Sequence, residues 1–200
     1  MPFSVLSKIL SHRYTLCLLW FFTFFLYPAS THAAWTINYG RVEQTWLDWN
    51  NDLRKDLGLS GYTIDTRLST TALAWSQQAQ SQKSITHKRS KKDWYYNYKG
   101  IERWFANRGI TFKNINRVTF SESIWYGGYN CKSEDCTDTL IKSIRSTYDM
   151  YLREKNRKSR PHYNALINKH FRVMGLWVVV DEKAKTYYLT VHYGTEVIGE

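Results

Sequence analysis

The first 33 residues of this 200-residue chain have the layout of a secretory signal peptide, which sets both the size and the compartment of the part that folds. Lys8 and Arg13 form a basic start, residues 14–27 form an apolar run, and small residues precede Ala34. The run is shorter than the roughly 18 to 20 residues that a membrane-spanning helix needs. We therefore predict a signal peptide at residues 1–33 and one secreted or periplasmic domain at residues 34–200. No transmembrane segment is expected after removal of the signal.

Export also changes how the cysteines are interpreted. Cys17 lies in the signal peptide, which leaves only Cys131 and Cys136 in the mature chain. An oxidising compartment favours a disulfide between them. The alternative is half of a metal site, but such a site needs further sulfur or nitrogen ligands and a tighter pair. We predict the disulfide.

Apolar spacing predicts helices packed around a small, mainly antiparallel sheet, which is an α+β fold. No repeat or linker divides the mature chain, and its single proline is Pro161. Long helices are predicted at about residues 42–57, after Asp65, and at about residues 138–154 with Thr137 or Asp138 as cap; a short one is predicted at residues 101–107. Strands are predicted at residues 110–112, 117–126, 173–180 and 186–193, with a break at Gly127-Gly128 and a hairpin formed by the last two.

Two histidines and two acids stand out by their positions. His87 follows the second helix, and His162 follows Pro161, whose ring restricts the approach of the chain. Glu122 lies within an apolar and aromatic strand, where a carboxylate must face solvent or be paired. Glu154 ends the third long helix. If these four side chains meet in one cleft, they form a centre for a divalent ion such as Zn²⁺ or for acid and base chemistry.

Several segments resemble a CAP domain, found in cysteine-rich secretory, antigen 5 and plant pathogenesis-related 1 proteins and also called SCP-like. The resemblance spans about Val42 to Gly194 and rests on an ordered series of segments: Asn50–Leu59, Leu68 to Trp75, His87, Ser121–Ile124, Tyr151–Glu154, His162–Leu166, Met174–Trp177 and Tyr187–Gly194. Ser121–Ile124 is similar to the family's Gly-Glu-Asn-Ile motif, with serines on both sides of Glu122. Tyr151–Glu154 is similar to its Trp-x-x-Glu helix end. The short form without a cysteine-rich tail indicates a bacterial member.

The resemblance implies a three-layer α-β-α sandwich and a tetrad of His87, Glu122, Glu154 and His162. In metal-bearing members two imidazoles bind a divalent ion, here His87 and His162, while the carboxylates orient the rings. If the alignment slips, Asp149 or Glu134 takes the place of Glu154.

The chain is basic, with a formal net charge of +11, and part of this charge lies beside the two tetrad histidines. We predict an anion-binding rim formed by Lys88, Arg89, Lys91, Lys92, Arg157, Lys158 and Arg160. Such a rim favours an anionic lipid, glycan or protein surface, and the alternative is a solvated face that aids solubility. Residues 91–99 also resemble a nucleic-acid stacking platform, but an exported protein rarely meets nucleic acid, and none is expected.

These observations predict a binding module with a His/Glu cleft for an anionic or lipidic ligand, with Zn²⁺ or another divalent cation as an option. One alternative is a metal-assisted hydrolase that uses the same residues, with a carboxylate as general base. Another is an effector or interaction protein that acts through its basic surface. Because no separate activated serine or cysteine nucleophile is evident, binding is favoured over catalysis.

Overall fold

The computed structural model describes residues 36–198, so the predicted signal peptide lies outside the described residues. The helices are α1 (Tyr39–Asp56), α2 (Thr66–Gln82), α3 (Tyr98–Ala106), α4 (Thr137–Arg153) and α5 (Pro161–Leu166). The strands are β1 (Thr63–Ile64), β2 (Thr111–Phe112), β3 (Phe120–Gly128), β4 (Val173–Asp181), β5 (Thr186–Gly194) and β6 (Val197–Ile198). A 3₁₀ turn, Glu154–Asn156, follows α4. None of the helices in this part of the chain is long and apolar enough to cross a bilayer.

The main sheet has four strands in the order β1-β4-β5-β3. β1 is parallel to β4, and the other neighbours are antiparallel, which confirms the predicted hairpin of β4 and β5. The predicted break at Gly127-Gly128 is wrong, because both glycines lie in β3 and pair with β5. A Cβ atom at Gly127 would lie 2.7 Å from the Tyr187 hydroxyl, so glycine lets the tyrosine ring cross β3 there.

Local sequence signals place most helix starts. Asn38 caps α1 and Asp65 caps α2 through side-chain oxygens that accept backbone N–H groups. The predicted cap of α4 at Thr137 or Asp138 is wrong, because Cys136 occupies that position without a side-chain cap bond. Pro161 begins α5, where its missing N–H leaves no intrahelical hydrogen bond unmade.

Helices cover both faces of the sheet and form three layers. One apolar cluster joins α1, α4 and α5 to the sheet and includes Trp46, Ile144 and Tyr151. A second cluster joins α2 and α3 to β2, β3 and β6, with Phe105 at its centre. The backbone of α2 lies directly against β4, because a Cβ atom at Gly175 would be 2.2 Å from the Ser69 nitrogen. This close contact brings α2 next to the row of paired residues that crosses the sheet at Gly175.

Two further features hold the connections in place. A disulfide joins Cys131 to Cys136, with a Cα to Cα distance of 5.8 Å, as predicted. The buried Arg54 guanidinium donates to the carbonyl oxygens of Ser60, Leu166, Asn168 and Phe171 at 2.7–3.3 Å. The end of α1 is thereby fixed to the segment between α5 and β4.

Candidate functional site

Glu122 is the centre of a buried cluster of polar side chains. It lies in β3 opposite His192 of β5, which in turn lies opposite Gly175 of β4. The Glu122 Oε1 atom is 2.8 Å from His87 Nδ1, and its Oε2 atom is 2.9 Å from His192 Nε2. Arg89 donates Nη1 to Oε1 at 3.1 Å and Nη2 to Oε2. Both oxygens of this carboxylate are therefore bound by protein donors.

The surroundings keep Glu122 ionised and favour a neutral His192. Burial alone raises the pKa of Glu122, but the charge of Arg89 and the hydrogen bonds from His192 and His87 outweigh burial and hold this pKa well below its usual value. Burial lowers the pKa of His192, although its hydrogen bond to Glu122 acts in the opposite direction. A neutral His192 donates from Nε2 to Glu122, and its Nδ1 atom lies 3.0 Å from the Thr71 hydroxyl.

The Arg89 side chain is buried, so it is not an exposed cation of the predicted anion-binding rim. Its side chain is only 6% exposed. The guanidinium carbon lies 3.4 Å from the ring centroid of Trp75 and 4.4 Å from that of Trp104, and Nη1 also donates to the His87 carbonyl oxygen. Arg89 therefore differs from the other rim residues, because its terminal nitrogens and its charge compensate Glu122.

A second histidine-glutamate pair, Glu154 with His162, lies at the end of α4. Glu154 Oε1 lies 2.6 Å from His162 Nδ1. Glu154 Oε2 accepts the backbone N–H groups of His162 and Tyr163 at 3.0 and 3.2 Å, in the first turn of α5. The His162 ring stacks on Tyr151, with centroids 4.3 Å apart and planes 5° from parallel. Glu154 thus orients His162 through both its ring and its backbone.

The two alternatives to Glu154 have other partners. Asp149 accepts a hydrogen bond from Arg145 on the surface of α4. Glu134 lies in the disulfide loop, where its carbonyl oxygen accepts from the Thr36 N–H group at 2.8 Å. Neither residue contacts a tetrad histidine.

Both histidine-glutamate pairs lie along the same edge of the sheet. β3 is an edge strand of the main sheet, and two tyrosines bond to its outer edge. The Glu122 N–H group donates to the Tyr96 hydroxyl at 3.2 Å, and the Tyr151 hydroxyl donates to the carbonyl oxygen of Ile124 at 3.4 Å. Two residues along a strand span about 7 Å. Tyr96 packs on His87 at 4.8 Å between centroids, as Tyr151 packs on His162.

The donor set limits what metal this edge can hold. Each tetrad histidine bonds to its glutamate through Nδ1, which leaves one Nε2 atom on each ring without a hydrogen bond in residues 36–198. No direct hydrogen bond, ion pair or ring contact joins His87 to His162 in that range. Nor does that range contain a group of three or more His, Cys, Asp or Glu side chains placed to bind a metal. The residues present fit at most a two-nitrogen site completed by water.

Most of the predicted rim is exposed beside these pairs. Exposed cations are Lys88, Lys91, Lys92, Arg157, Lys158 and Arg160. Between the first three and α3 lie Trp94 and Tyr95, which are 80% and 59% exposed. Tyr95 meets the His87 ring edge to face, with centroids 5.1 Å apart. The edge is therefore bordered by positive charge and aromatic surface.

His192 and the internal role of Arg89 are the parts of the site that the sequence did not reveal. His192 was one histidine among four in the mature chain, in a strand with no special motif. Only the register of β3 against β5 identifies it as the partner of Glu122. The position of Arg89, two residues after His87, could have indicated that it lies near the site. Its neighbours in the sequence are exposed cations, so it was assigned to the rim with them.

The sequence profile of the cysteine-rich secretory protein family, CAP, matches residues 47–193. No curated protein matches the chain at a significant level. Among solved structures, an outer surface protein from Borrelia burgdorferi superposes with a TM-score of 0.52 at 16% identity, covering 76% of this chain and 91% of that one.

Two further bacterial structures have the same fold. An extracellular protein from Bacillus anthracis that contains an SCP domain has a TM-score of 0.54 at 15% identity, covering 79% of this chain and 41% of that one. The CAP domain of enterococcal PrgA has a TM-score of 0.54 at 16% identity, covering 78% of this chain and 61% of that one. These similarities agree with the three-layer α-β-α arrangement.

Proposed function

Because this chain belongs to the cysteine-rich secretory protein (CAP) family, we propose that it is an exported binding module for an anionic or lipidic ligand. The ligand would bind at the outer edge of β3, in a cleft formed by the two histidine-glutamate pairs. The single observation that carries this proposal is the placement of both pairs on that edge through Tyr96 and Tyr151. Residues 1–33 would direct the chain to a periplasm or out of the cell.

The chemistry of the edge suits a ligand with a negative group and an apolar part. The Nε2 atoms of His87 and His162 remain available after both Nδ1 atoms have bonded to glutamate. Exposed lysines and arginines surround them and attract anions at long range. Trp94 and Tyr95 offer amphipathic rings of the kind that contact lipid or sugar.

The surroundings of both carboxylates favour binding over hydrolysis. A general base must have a free lone pair and a pKa near the working pH. Glu122 is fully buried, bound by three side chains, and has a pKa well below its usual value. Glu154 accepts three hydrogen bonds from His162 and Tyr163. All four lone-pair sites of the Glu122 carboxylate are occupied, and the Glu154 carboxylate has only one left, on Oε1, so neither is well placed as a general base.

A divalent cation is an optional part of this proposal. The Nε2 atoms of His87 and His162 would bind it, and a bound ion would supply Lewis-acid polarisation of a ligand oxygen. Because two nitrogens make a weak site, we expect Zn²⁺ to bind only loosely. Calorimetric titration with ZnCl₂ should give a signal that both His87→Ala and His162→Ala abolish. A signal that survives both substitutions would remove the cleft as the metal site.

Vesicle flotation tests the ligand class. We expect the chain expressed without residues 1–33 to bind vesicles that contain phosphatidylglycerol and to bind pure phosphatidylcholine vesicles less well. A cleft with apolar contacts retains binding in about 0.5 M NaCl, whereas attraction to the basic surface alone is lost because salt screens it. The variant His162→Gln should weaken the binding.

His170→Gln is the matched control for His162→Gln. His170 is partly exposed in the segment before β4, and its backbone N–H bonds to Asn168. Equal binding by both variants would contradict a role for the histidine edge. If binding then also disappears at high salt, the interaction-protein alternative with a purely basic surface is favoured.

A further inference from the structure

A pocket lies on the side of Arg89 that faces α2, and neither tetrad histidine nor tetrad glutamate is among its lining residues. It has a volume of about 400 Å³ and lies between the C-terminal half of α2, the segment at residues 86–91 and Trp104 of α3. Among the described residues that line it, Lys88, Arg89 and Lys91 are cations and none is an acid. The pocket therefore has chemistry of its own to explain.

Arg89, one of the residues that line this pocket, has an unused hydrogen-bond donor. The Arg89 side chain is only 6% exposed, and its Nε atom has no hydrogen-bond partner among residues 36–198. Its two terminal nitrogens are held by Glu122. A buried donor without an acceptor destabilises a fold by about 1–3 kcal/mol, so native structures rarely leave one unexplained.

The guanidinium cannot readily turn away to find another acceptor. The Trp75 ring packs on it at 3.4 Å, and that ring is itself fixed by a hydrogen bond from its Nε1 atom to the carbonyl oxygen of Thr86. Trp104 packs on the guanidinium at 4.4 Å. The Nε–H group is therefore held in one orientation next to the pocket, where an acceptor that reaches it would meet a fixed donor.

The electrostatic field in the pocket is positive. Glu122 balances the charge of Arg89 through its terminal nitrogens, while the ammonium groups of Lys88 and Lys91 are exposed at the pocket. Arg108 adds a further cation, since its guanidinium carbon lies 4.0 Å from the Trp104 ring centroid. The field favours an anion over a neutral ligand or a cation.

We propose that this pocket binds an oxyanion, namely a sulfate, phosphate ester or carboxylate group carried by a polar ligand. Arg89 Nε–H is the buried donor, and Lys88 and Lys91 supply charge. A volume of about 400 Å³ is within the range of small-molecule sites. It leaves room beyond the oxyanion for a hydroxyl-bearing group of about the size of a sugar, next to the Gln78 amide and the Ser90 hydroxyl. The proposal does not depend on ligand binding at the histidine-glutamate edge.

Nuclear magnetic resonance detects this site directly, because the Arg89 Nε–H group and the indole N–H groups of Trp75 and Trp104 each give an observable signal. We would titrate ¹⁵N-labelled protein without residues 1–33 at constant ionic strength with sodium sulfate, sodium phosphate, N-acetylglucosamine 6-sulfate and N-acetylglucosamine. The expected result is a saturable shift of the Arg89 Nε–H and Trp104 indole signals with the anions and no saturable shift with the neutral sugar.

Two exposed glutamines of α2 give a matched pair of variants. Gln78 lines the pocket and Gln77, its neighbour, does not. Gln78→Glu and Gln77→Glu add the same charge at neighbouring exposed positions of α2, so neither is expected to impair folding. Repulsion at the pocket should reduce anion affinity by about tenfold in Gln78→Glu. Gln77→Glu should reduce it by no more than about threefold, since its charge lies on a different helical face.

Equal weakening by the two variants would overturn the proposal, as would the absence of saturable shifts with every anion or equal shifts with the neutral sugar. Tighter binding of the sulfated sugar than of inorganic sulfate would identify a glycan oxyanion as the better ligand. Equal binding of the two would identify the oxyanion alone as the recognised group. Both of these results support the pocket as an anion site.

Discussion

Replacement of Glu122 by glutamine is the sharpest test of how the central cluster is held together. The two side chains have nearly the same shape, so the substitution removes a charge and converts one acceptor into an NH₂ donor. In the native structure both acceptor atoms face donors: Oε1 faces His87 and Arg89, and Oε2 faces His192 and Arg89. Whichever way the amide turns, its NH₂ group meets donors, and Arg89 loses its counter-charge.

The expected loss of stability is large for a substitution that replaces one oxygen atom by an NH₂ group. Glu122 is 0% and Arg89 is 6% exposed in their side chains, so solvent screens this pair little. Removal of one partner of a buried ion pair destabilises proteins by about 3–5 kcal/mol. Since a domain of this size has about 5–15 kcal/mol in total, Glu122→Gln should lower the melting temperature by about 10 °C.

Urea unfolding at pH 7, followed by tryptophan fluorescence, measures this loss. Glu196→Gln is the control, because it breaks the ion pair with Lys113, in which both side chains are more than half exposed. It should lower the free energy of unfolding by less than about 1 kcal/mol. A similar small loss in Glu122→Gln would refute the reasoning. The double variant Glu122→Gln/Arg89→Met removes both charges and should be more stable than Glu122→Gln alone.

Three further outcomes follow from the described contacts. The pKa values of Glu122 and His192 are lower in the folded state than in the unfolded state, so they stabilise the fold above their unfolded pKa values and this stabilisation is lost as pH falls. The melting temperature measured from pH 8 down to pH 3 should therefore decrease with pH, beginning below about pH 6.5, where His192 of the unfolded chain takes up a proton. The decrease should be less steep in Glu122→Gln. Gly175→Ala should lower the free energy of unfolding by about 1–3 kcal/mol, because the new Cβ atom overlaps the backbone of α2. Gly128→Ala is the control and should be nearly neutral, because no atom lies within 4 Å of its new Cβ atom. Urea unfolding measures both. Arg54→Met removes donors from four carbonyl oxygens and should lower the urea midpoint by the equivalent of about 3 kcal/mol; an unchanged midpoint would show that water replaces these bonds.

Sequence reasoning succeeded where the deciding interaction is local. The apolar spacing of α1, α2 and α4 predicts these helices to within a few residues, because side chains three and four positions apart share one helix face. The Asp65 cap of α2 is local in the same sense. The hairpin of β4 and β5 follows from two β-rich runs with a short link.

Short and distant pairings could not be predicted. β1 and β6 contain two residues each, too few to show an alternating pattern, and they exist because β4 and β2 offer partners far away in the chain. The cap of α4 was placed wrongly because Thr137 uses its hydroxyl to accept from the Asn38 N–H group, at the start of α1. A long-range contact there replaces the expected local one.

The candidate site divides in the same way. The resemblance to CAP domains predicted that His87, Glu122, Glu154 and His162 form one tetrad, and the rule that a carboxylate within an apolar strand needs a partner marked Glu122. The structure pairs each histidine with one glutamate. Local sequence patterns predict most of the helices and strands around these residues, because such patterns depend on neighbours in the chain. Long-range packing places Arg89 between two indole rings and His192 opposite Glu122. The register of β3 against β5 and the packing of α2 on Gly175 depend on contacts between residues that are remote in the sequence, and no local pattern encodes them.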